Sequence, residues 1–353
     1  MTRIAAVSGV LPPHRYGQGE LADALAALRP PGADRAVLDR VYGAAGVTTR
    51  HLALPLDAYA GLAGFGAAND AFIAAALELG GAAVEQVLAA SGVAASEVDL
   101  VVSTSVTGIA APSIEARLAG RLGLRPDVRR VPVFGLGCAA GAAAVGRLHD
   151  FLLGRPDGVA LLLATELCSL TLQRKDRSTA NLVATALFGD GAGALLAAGP
   201  RHPAFAGAGP EVVASRSRLY PGTERLLGWD IGDEGFRIVL GAELPELVRL
   251  HVGEEVSSFL AEHDLKPADV AAWICHPGGP RVLDALQEEL GLPPSALDLS
   301  RRSLASVGNL SSASVLHILR DALAAESPPP PGGYGLMLAL GPGFASELVL
   351  LRW

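Results

Sequence analysis

Lysine is almost missing from this chain. Only Lys175 and Lys266 occur among 28 basic residues, and the formal net charge is −8. An acidic balance with no basic run is poorly matched to nucleic acid or to an anionic membrane surface. Any phosphate the chain holds must therefore be met by arginine or by backbone N–H groups. Cysteine is scarce too, and Cys138, Cys168 and Cys275 show no paired spacing. That supports neither a disulfide framework nor a zinc site, and no metal ligand set is expected. No run approaches about eighteen uninterrupted apolar residues, and the first nine residues read as a strand without a signal peptide's long apolar region. Together these absences predict a cytoplasmic protein without a membrane span.

What is present is apolar mass. With 353 residues, half of them hydrophobic, the chain exceeds one ordinary domain and can bury a large core, so one duplicated or two closely packed domains are expected. Helical patterns over 20–28, 33–42 and 69–90 alternate with short apolar runs, giving a β, α, β, α rhythm. The run 158–166 reads as a parallel strand covered on both faces and ends in Glu166, just before Cys168. In the second half, 242–262 reads as a helix and 270–275 as a strand. A terminal strand pair, 334–340 and 345–352, flanks Gly341-Pro-Gly343.

The stretch 131–146 reads as a strand, a glycine turn and an Ala/Gly-rich helix opening at Cys138. Free N–H groups and the positive helix end favour thiolate there, which suggests a nucleophile. His276 ends a strand at a glycine-rich loop, and Asn309 sits at a glycine-preceded helix start. Cysteine, histidine and asparagine in three separate turns make a possible nucleophile, charge partner and amide donor. His149 and His317 fall inside helices and read as packing or surface residues, and Cys275 reads as core.

Five blocks carry a resemblance. Gly137-Cys-Ala-Ala-Gly141, Ala186-Leu-Phe-Gly-Asp-Gly-Ala192, Trp273-Ile-Cys-His-Pro-Gly-Gly-Pro280, Gly308-Asn-Leu-Ser-Ser312 and Gly341-Pro-Gly343 resemble, in order, the signature blocks of type III polyketide synthases, the chalcone synthase superfamily. The resemblance implies an α/β thiolase fold, five-layered αβαβα, built from two similar halves, here 1–205 with the nucleophile and 206–353 with the histidine and asparagine. It implies a homodimer that uses acyl-CoA starters and malonyl-CoA extender, with no cofactor.

Carried over residue by residue, it makes Cys138, His276 and Asn309 catalytic and Phe188 and Phe236 gatekeepers between CoA tunnel and cavity. An imidazolium-like His276 beside Cys138 would stabilise the thiolate further. Cys168 and Thr171, after Glu166, match cavity-lining positions. Thr107 and Ala111 are similar to small residues that open an acyl tunnel in bacterial alkylpyrone and alkylresorcinol synthases, which favours a medium- or long-chain fatty acyl starter. Glu166 with Ser311 and a nearby threonine resembles the network that directs aldol closure in resorcinol-forming relatives. Arg40 matches one CoA-phosphate position, Ala44 stands at another where relatives have a lysine, and Arg50 is a compensating candidate. Two other readings stay open: a β-ketoacyl-carrier-protein synthase III, making one condensation, and a non-catalytic partner subunit of a condensing enzyme.

Overall fold

The computed structural model describes residues 1–28 and 35–353. The first half runs β1 (Thr2–Val10), β2 (His14–Gly17), α1 (Gln18–Leu28), α2 (Arg35–Ala44), β3 (Thr49–Leu52), α3 (Phe65–Ser91), β4 (Leu100–Thr104), α4 (Ile114–Leu122), β5 (Arg129–Val133), α5 (Ala140–Leu153), β6 (Val159–Leu167), α6 (Thr179–Leu187) and β7 (Asp190–Ala198). The second runs β8 (Glu211–Leu219), β9 (Leu227–Gly232), β10 (Gly235–Leu240), α7 (Leu244–Leu247), α8 (Gly253–Ala261), β11 (Val270–Cys275), α9 (Pro280–Glu289), α10 (Asp298–Val307), α11 (Ser314–Leu323), β12 (Tyr334–Gly341) and β13 (Ala345–Arg352).

Strands from both halves form one mixed sheet in the order β11-β12-β13-β8-β1-β7-β6-β4-β5. The halves are stitched where Thr2 and Arg3 pair with Val212 and Glu211. Small and apolar side chains explain the layering. On one outside face, α3 and α4 bury Ala83, Val84, Val87 and Leu118 against β1, β4, β6 and β7. In the centre, the Ala/Gly-rich α5 and the serine-led α11 are enclosed between strands of both halves, with Leu148, Leu316 and Leu319 fully buried. On the far side, α8, α9 and α10 cover the second half with Phe259, Leu283 and Leu304. This is the αβαβα thiolase arrangement.

Some expectations change. The 242–262 helix is interrupted by a π-helical turn, Val248–Val252. Strand β6 is parallel to β4 and antiparallel to β7. The expected start of the 33–42 helix falls at residues 33 and 34, outside the described residues. Helix α3 is long and apolar enough to cross a membrane by length and composition, although no sequence run signalled it. It packs instead on the sheet and α4, with Phe72, Ala76, Ala83 and Val87 buried.

Candidate active site

Cys138 sits in a 3-10 turn, Gly137–Ala139, that feeds straight into α5. The local sequence is small because the surroundings press close. A Cβ on Gly141 would stand 2.2 Å from the Ser312 carbonyl oxygen, and one on Gly341 2.5 Å from the Leu136 carbonyl. The glycines thus let the 311–313 turn and the end of β12 close onto the cysteine turn. Gly341 and Gly343 stay off the cavity lining; between them Pro342 forms part of it.

Asn309 is fixed through its backbone. Its N–H donates to Leu187 at 2.8 Å and its carbonyl accepts from Gly189 at 3.0 Å, which locks Phe188 alongside it. Its side-chain Oδ1 accepts the Ser311 N–H at 2.7 Å, leaving the amide NH2 as the free donor end. His276 continues the β11 ladder, its N–H donating to Leu338 at 2.8 Å. It is buried, and its Nδ1 has no hydrogen-bond partner.

Electrostatically, burial overrides the helix terminus. It pushes the Cys138 thiol from 9.0 up to about 12, although the Ser311 and Asn309 side chains pull the other way. That rise corresponds to roughly 4 kcal/mol, against about 0.3–2 kcal/mol for a helix end. Burial likewise pushes His276 down to about 3. Burial thus favours the thiol and the neutral imidazole, the opposite direction from the thiolate and imidazolium expected from sequence.

Glu166 is fully buried, which raises its pKa. Its Oε2 accepts from Thr107 Oγ1 at 2.8 Å and the Val106 N–H at 3.1 Å, and its Oε1 from Ser312 at 2.6 Å. The expected threonine is thus Thr107. Ser312 makes the short serine bond, and the Ser311 side chain, on a backbone with a left-handed φ of 48°, acts on both Glu166 and Cys138, lowering the pKa of each against burial.

These groups meet at a cavity lined by Cys138, Ser311, Thr107, Cys168, Thr171 and Phe188, with apolar walls from α1, Leu56, Leu172, Trp229 and Ile238. His276 and Asn309 are not among the lining residues. Phe236 is not on it: the ring packs among Phe65, Trp229 and Phe134 at centroid distances of 5.4, 5.8 and 6.1 Å. It lines a second cavity that shares Tyr59, Thr107, Ser169, Thr171 and Leu172 with the first.

One expected residue falls elsewhere. Ala111 is exposed and outside both cavities, because Asn69 at the start of α3 grips the Ile109 N–H and carbonyl, each at 2.8 Å, and carries the chain along the surface. Arg50 is buried on the wall of the Cys138 cavity, where it donates to the Thr185 and Phe188 carbonyls at 2.6 and 2.8 Å and to Gln18 at 3.2 Å. It is a clamp on the C-terminal end of α6, where a cation meets the negative helix end. Arg40 is exposed on α2. His317 is buried rather than at the surface, held to the Ala192 carbonyl at 2.9 Å, and Cys275 is core.

Sequence reasoning missed Asp190, Tyr59 and Ser169. Asp190 is fully buried and accepts N–H groups from Ser169 at 2.8 Å and Ala53 at 2.6 Å. The available signal was its place between an apolar helix and an apolar strand in Phe188-Gly-Asp-Gly, where a carboxylate must be paired internally.

Similarity to known proteins agrees with this geometry. Residues 54–200 match the N-terminal domain of chalcone and stilbene synthases, and residues 211–353 match the C-terminal domain. A 1,3,6,8-tetrahydroxynaphthalene synthase of Streptomyces peucetius subsp. caesius is 57% identical over 100% of this chain and 93% of its own. A putative chalcone synthase of Bacillus subtilis (strain 168) is 35% identical over 87% of this chain and 86% of its own. The crystal structure of 1,3,6,8-tetrahydroxynaphthalene synthase from Streptomyces coelicolor A3(2), a bacterial type III polyketide synthase, superposes with a TM-score of 0.93 at 30% identity over 99% of both chains. With both domains matched in order around a cysteine turn, a histidine loop and an asparagine turn, this chain belongs to the chalcone and stilbene synthase family and is a type III polyketide synthase.

Proposed function

We propose that the enzyme loads an acyl group from CoA on Cys138, extends it with malonyl-CoA and closes the product to an aromatic polyketide without an alkyl tail. The observation that carries this reading is the cysteine set at the cavity wall beside Ser311, with the Ser311 and Asn309 side chains lowering its thiol pKa against burial. The unpartnered His276 nitrogen is the base that takes the Cys138 proton as the sulfur attacks a thioester, so the ion pair exists only along the reaction. Decarboxylation of malonyl-CoA leaves an enolate. With the first proton gone on the released CoA thiol, the enolate oxygen is stabilised by the Asn309 NH2 and the His276 N–H, acting as an oxyanion hole. The enolate carbon attacks the Cys138 thioester, and no metal or redox cofactor takes part.

The product class rests on the 57% identical relative. The name of that relative's product describes ten ring carbons with oxygens at positions 1, 3, 6 and 8, the pattern left by two-carbon units joined without a fatty chain. Malonyl-CoA would then serve as starter and extender. The long-chain alkylpyrone or alkylresorcinol alternative leaned on Thr107, which lines the cavity, and on Ala111, which does not. Residues 1–205 and 206–353 act as the two halves, Arg40 is the candidate CoA-phosphate contact, and a second copy covers the exposed edge strand β5 with Val131, Phe134 and Leu136.

The test is malonyl-CoA alone and with acyl-CoA starters from acetyl to palmitoyl, read by mass spectrometry beside Cys138→Ala. An aromatic product from malonyl-CoA alone, absent in the variant, is expected. Product only with long starters would restore the alkyl reading. A single condensation would indicate the synthase III alternative.

A further inference from the structure

The reaction outlined above leaves one buried polar chain unused. Tyr59, in the 3-10 turn Leu56–Gly61, shares its hydroxyl hydrogen bond with Ser169 Oγ, and Ser169 Oγ in turn donates to Asp190 Oδ2. Asp190 is fully buried and Tyr59 nearly so. Tyr59 and Ser169 nevertheless line both the Cys138 cavity and its neighbour. A carboxylate sealed from solvent is thereby connected, through two hydroxyls, to the space where the substrate lies. The Ser169 and Ala53 N–H bonds to Asp190 would anchor the loops without either hydroxyl, so anchoring alone does not account for the chain.

Resting on the polyketide reading, we propose that Tyr59, Ser169 and Asp190 form a proton relay that serves carbon–carbon ring closure. A methylene between two carbonyls of the bound chain loses its C–H proton to Tyr59 oxygen as Tyr59 passes its own proton to Ser169 and Ser169 passes its proton to the Asp190 carboxylate. The carbanion's electron pair forms the new C–C bond to a carbonyl carbon, whose π pair moves onto oxygen. The relay then runs backwards, and Tyr59 protonates that alkoxide. One C–H bond is broken, one C–C and one O–H bond are made, and no outside acid or base is consumed. Tyr59 and Ser169 meet the substrate, whereas Asp190 acts through Ser169 as a positioning residue.

The charged and titratable groups around Asp190 are Arg50 on β3, Tyr59, and Cys168 in the turn after β6. Burial pushes the Asp190 carboxyl up to about 6, with Arg50 pulling it down. The relay's base is thus present at neutral pH and lost on acidification through that value.

The experiment supplies malonyl-CoA to wild type, Tyr59→Phe, Asp190→Asn and the control Tyr16→Phe, whose hydroxyl only receives the Leu56 N–H at 3.2 Å. The quantity read is carbon-closed aromatic product per CoA released, from pH 5 to 8. At least a tenfold fall is expected in Tyr59→Phe and Asp190→Asn, with lactones, which close through an enol oxygen, taking its place. The wild-type ratio should fall on one limb near pH 6, and both variants should lack that limb. An unchanged ratio in Tyr59→Phe, or an equal fall in Tyr16→Phe, overturns the relay. If Asp190→Asn does not fold, Tyr59→Phe decides. Failure of the wild type to release CoA from malonyl-CoA would instead overturn the substrate reading on which the relay rests.

Discussion

Replacing Gly141 by alanine adds one methyl group at the tightest point of the site. Its Cβ would lie 2.2 Å from the Ser312 carbonyl oxygen and 2.8 Å from Val315 Cγ2, whereas real Cβ atoms essentially never come within 3.0 Å of such neighbours. The carbonyl belongs to the backbone and cannot rotate away, so α5 and the 311–313 turn must separate by roughly 1 Å in a core packed at crystal density. Overpacking of this kind costs about 1–3 kcal/mol. The catalytic cost should be larger in proportion, because the cysteine is carried by one partner and its Asn309 and Ser311 contacts by the other, and a 1 Å misplacement costs about 10²-fold. Gly141→Ala should therefore lower kcat for malonyl-CoA consumption about a hundredfold in a protein that still unfolds cooperatively a few degrees lower. Gly120→Ala in α4, with nothing within 4 Å of the new Cβ, should leave kcat unchanged and raise stability by about 0.5–1 kcal/mol. A Gly141→Ala enzyme with kcat within twofold of wild type would refute the claim that close approach of these two turns sets the site.

Further expectations concern charge and hydrogen bonding. Because burial holds Cys138 near 12 and His276 near 3, iodoacetamide inactivation of the free enzyme should keep rising above pH 9; a plateau beginning at pH 6 to 7 would indicate a preformed ion pair. His276 and His317, the latter pushed down to about 4 by burial, bind protons more readily in the unfolded chain. Their contribution to stability is therefore full above about pH 6.5 and declines as pH falls toward 4, a trend that His317→Asn should weaken in urea titrations at pH 7 and 5. Thr107→Val removes a donor to Glu166 and the acceptor of the Leu167 N–H at 2.9 Å, at a cost of about 1–3 kcal/mol, and should shift ring-closure products on chromatography. Arg50→Met should lower the melting temperature. Arg40→Ala should leave melting unchanged and raise KM for malonyl-CoA severalfold at low salt.

The sequence made the site's vocabulary legible and its geometry much less so. Cys138, His276 and Asn309 each occupy a glycine-marked turn, and turns announce themselves through residue type. The terminal pair β12 and β13 was readable because both strands are rich in apolar residues and flank a Gly-Pro-Gly turn. That Ser312 joins Ser311 at Glu166 was not readable, since the left-handed Ser311 turn depends on Asn309 Oδ1 capturing its N–H. Nor was the fate of Ala111, which is decided by Asn69, forty-two positions earlier in the chain. Charge states were the least legible. A helix start lowers a thiol's pKa in isolation, and only the packed surroundings reveal that desolvation is the larger effect.

The seam between the halves has a consequence for biosynthesis. Strand β1 is made first, yet it lies between β7 and β8 and pairs with residues 192–198 and 211–212. At about 5–20 residues per second, its partners leave the ribosome roughly 10–40 s after it does. For that interval a nine-residue strand with alternating buried positions has neither neighbour available, far longer than the microseconds in which a local hairpin forms. The nascent chain must carry a sticky, unmatched ribbon through most of translation, which makes chaperone supply and elongation speed expected determinants of how much active enzyme a cell obtains.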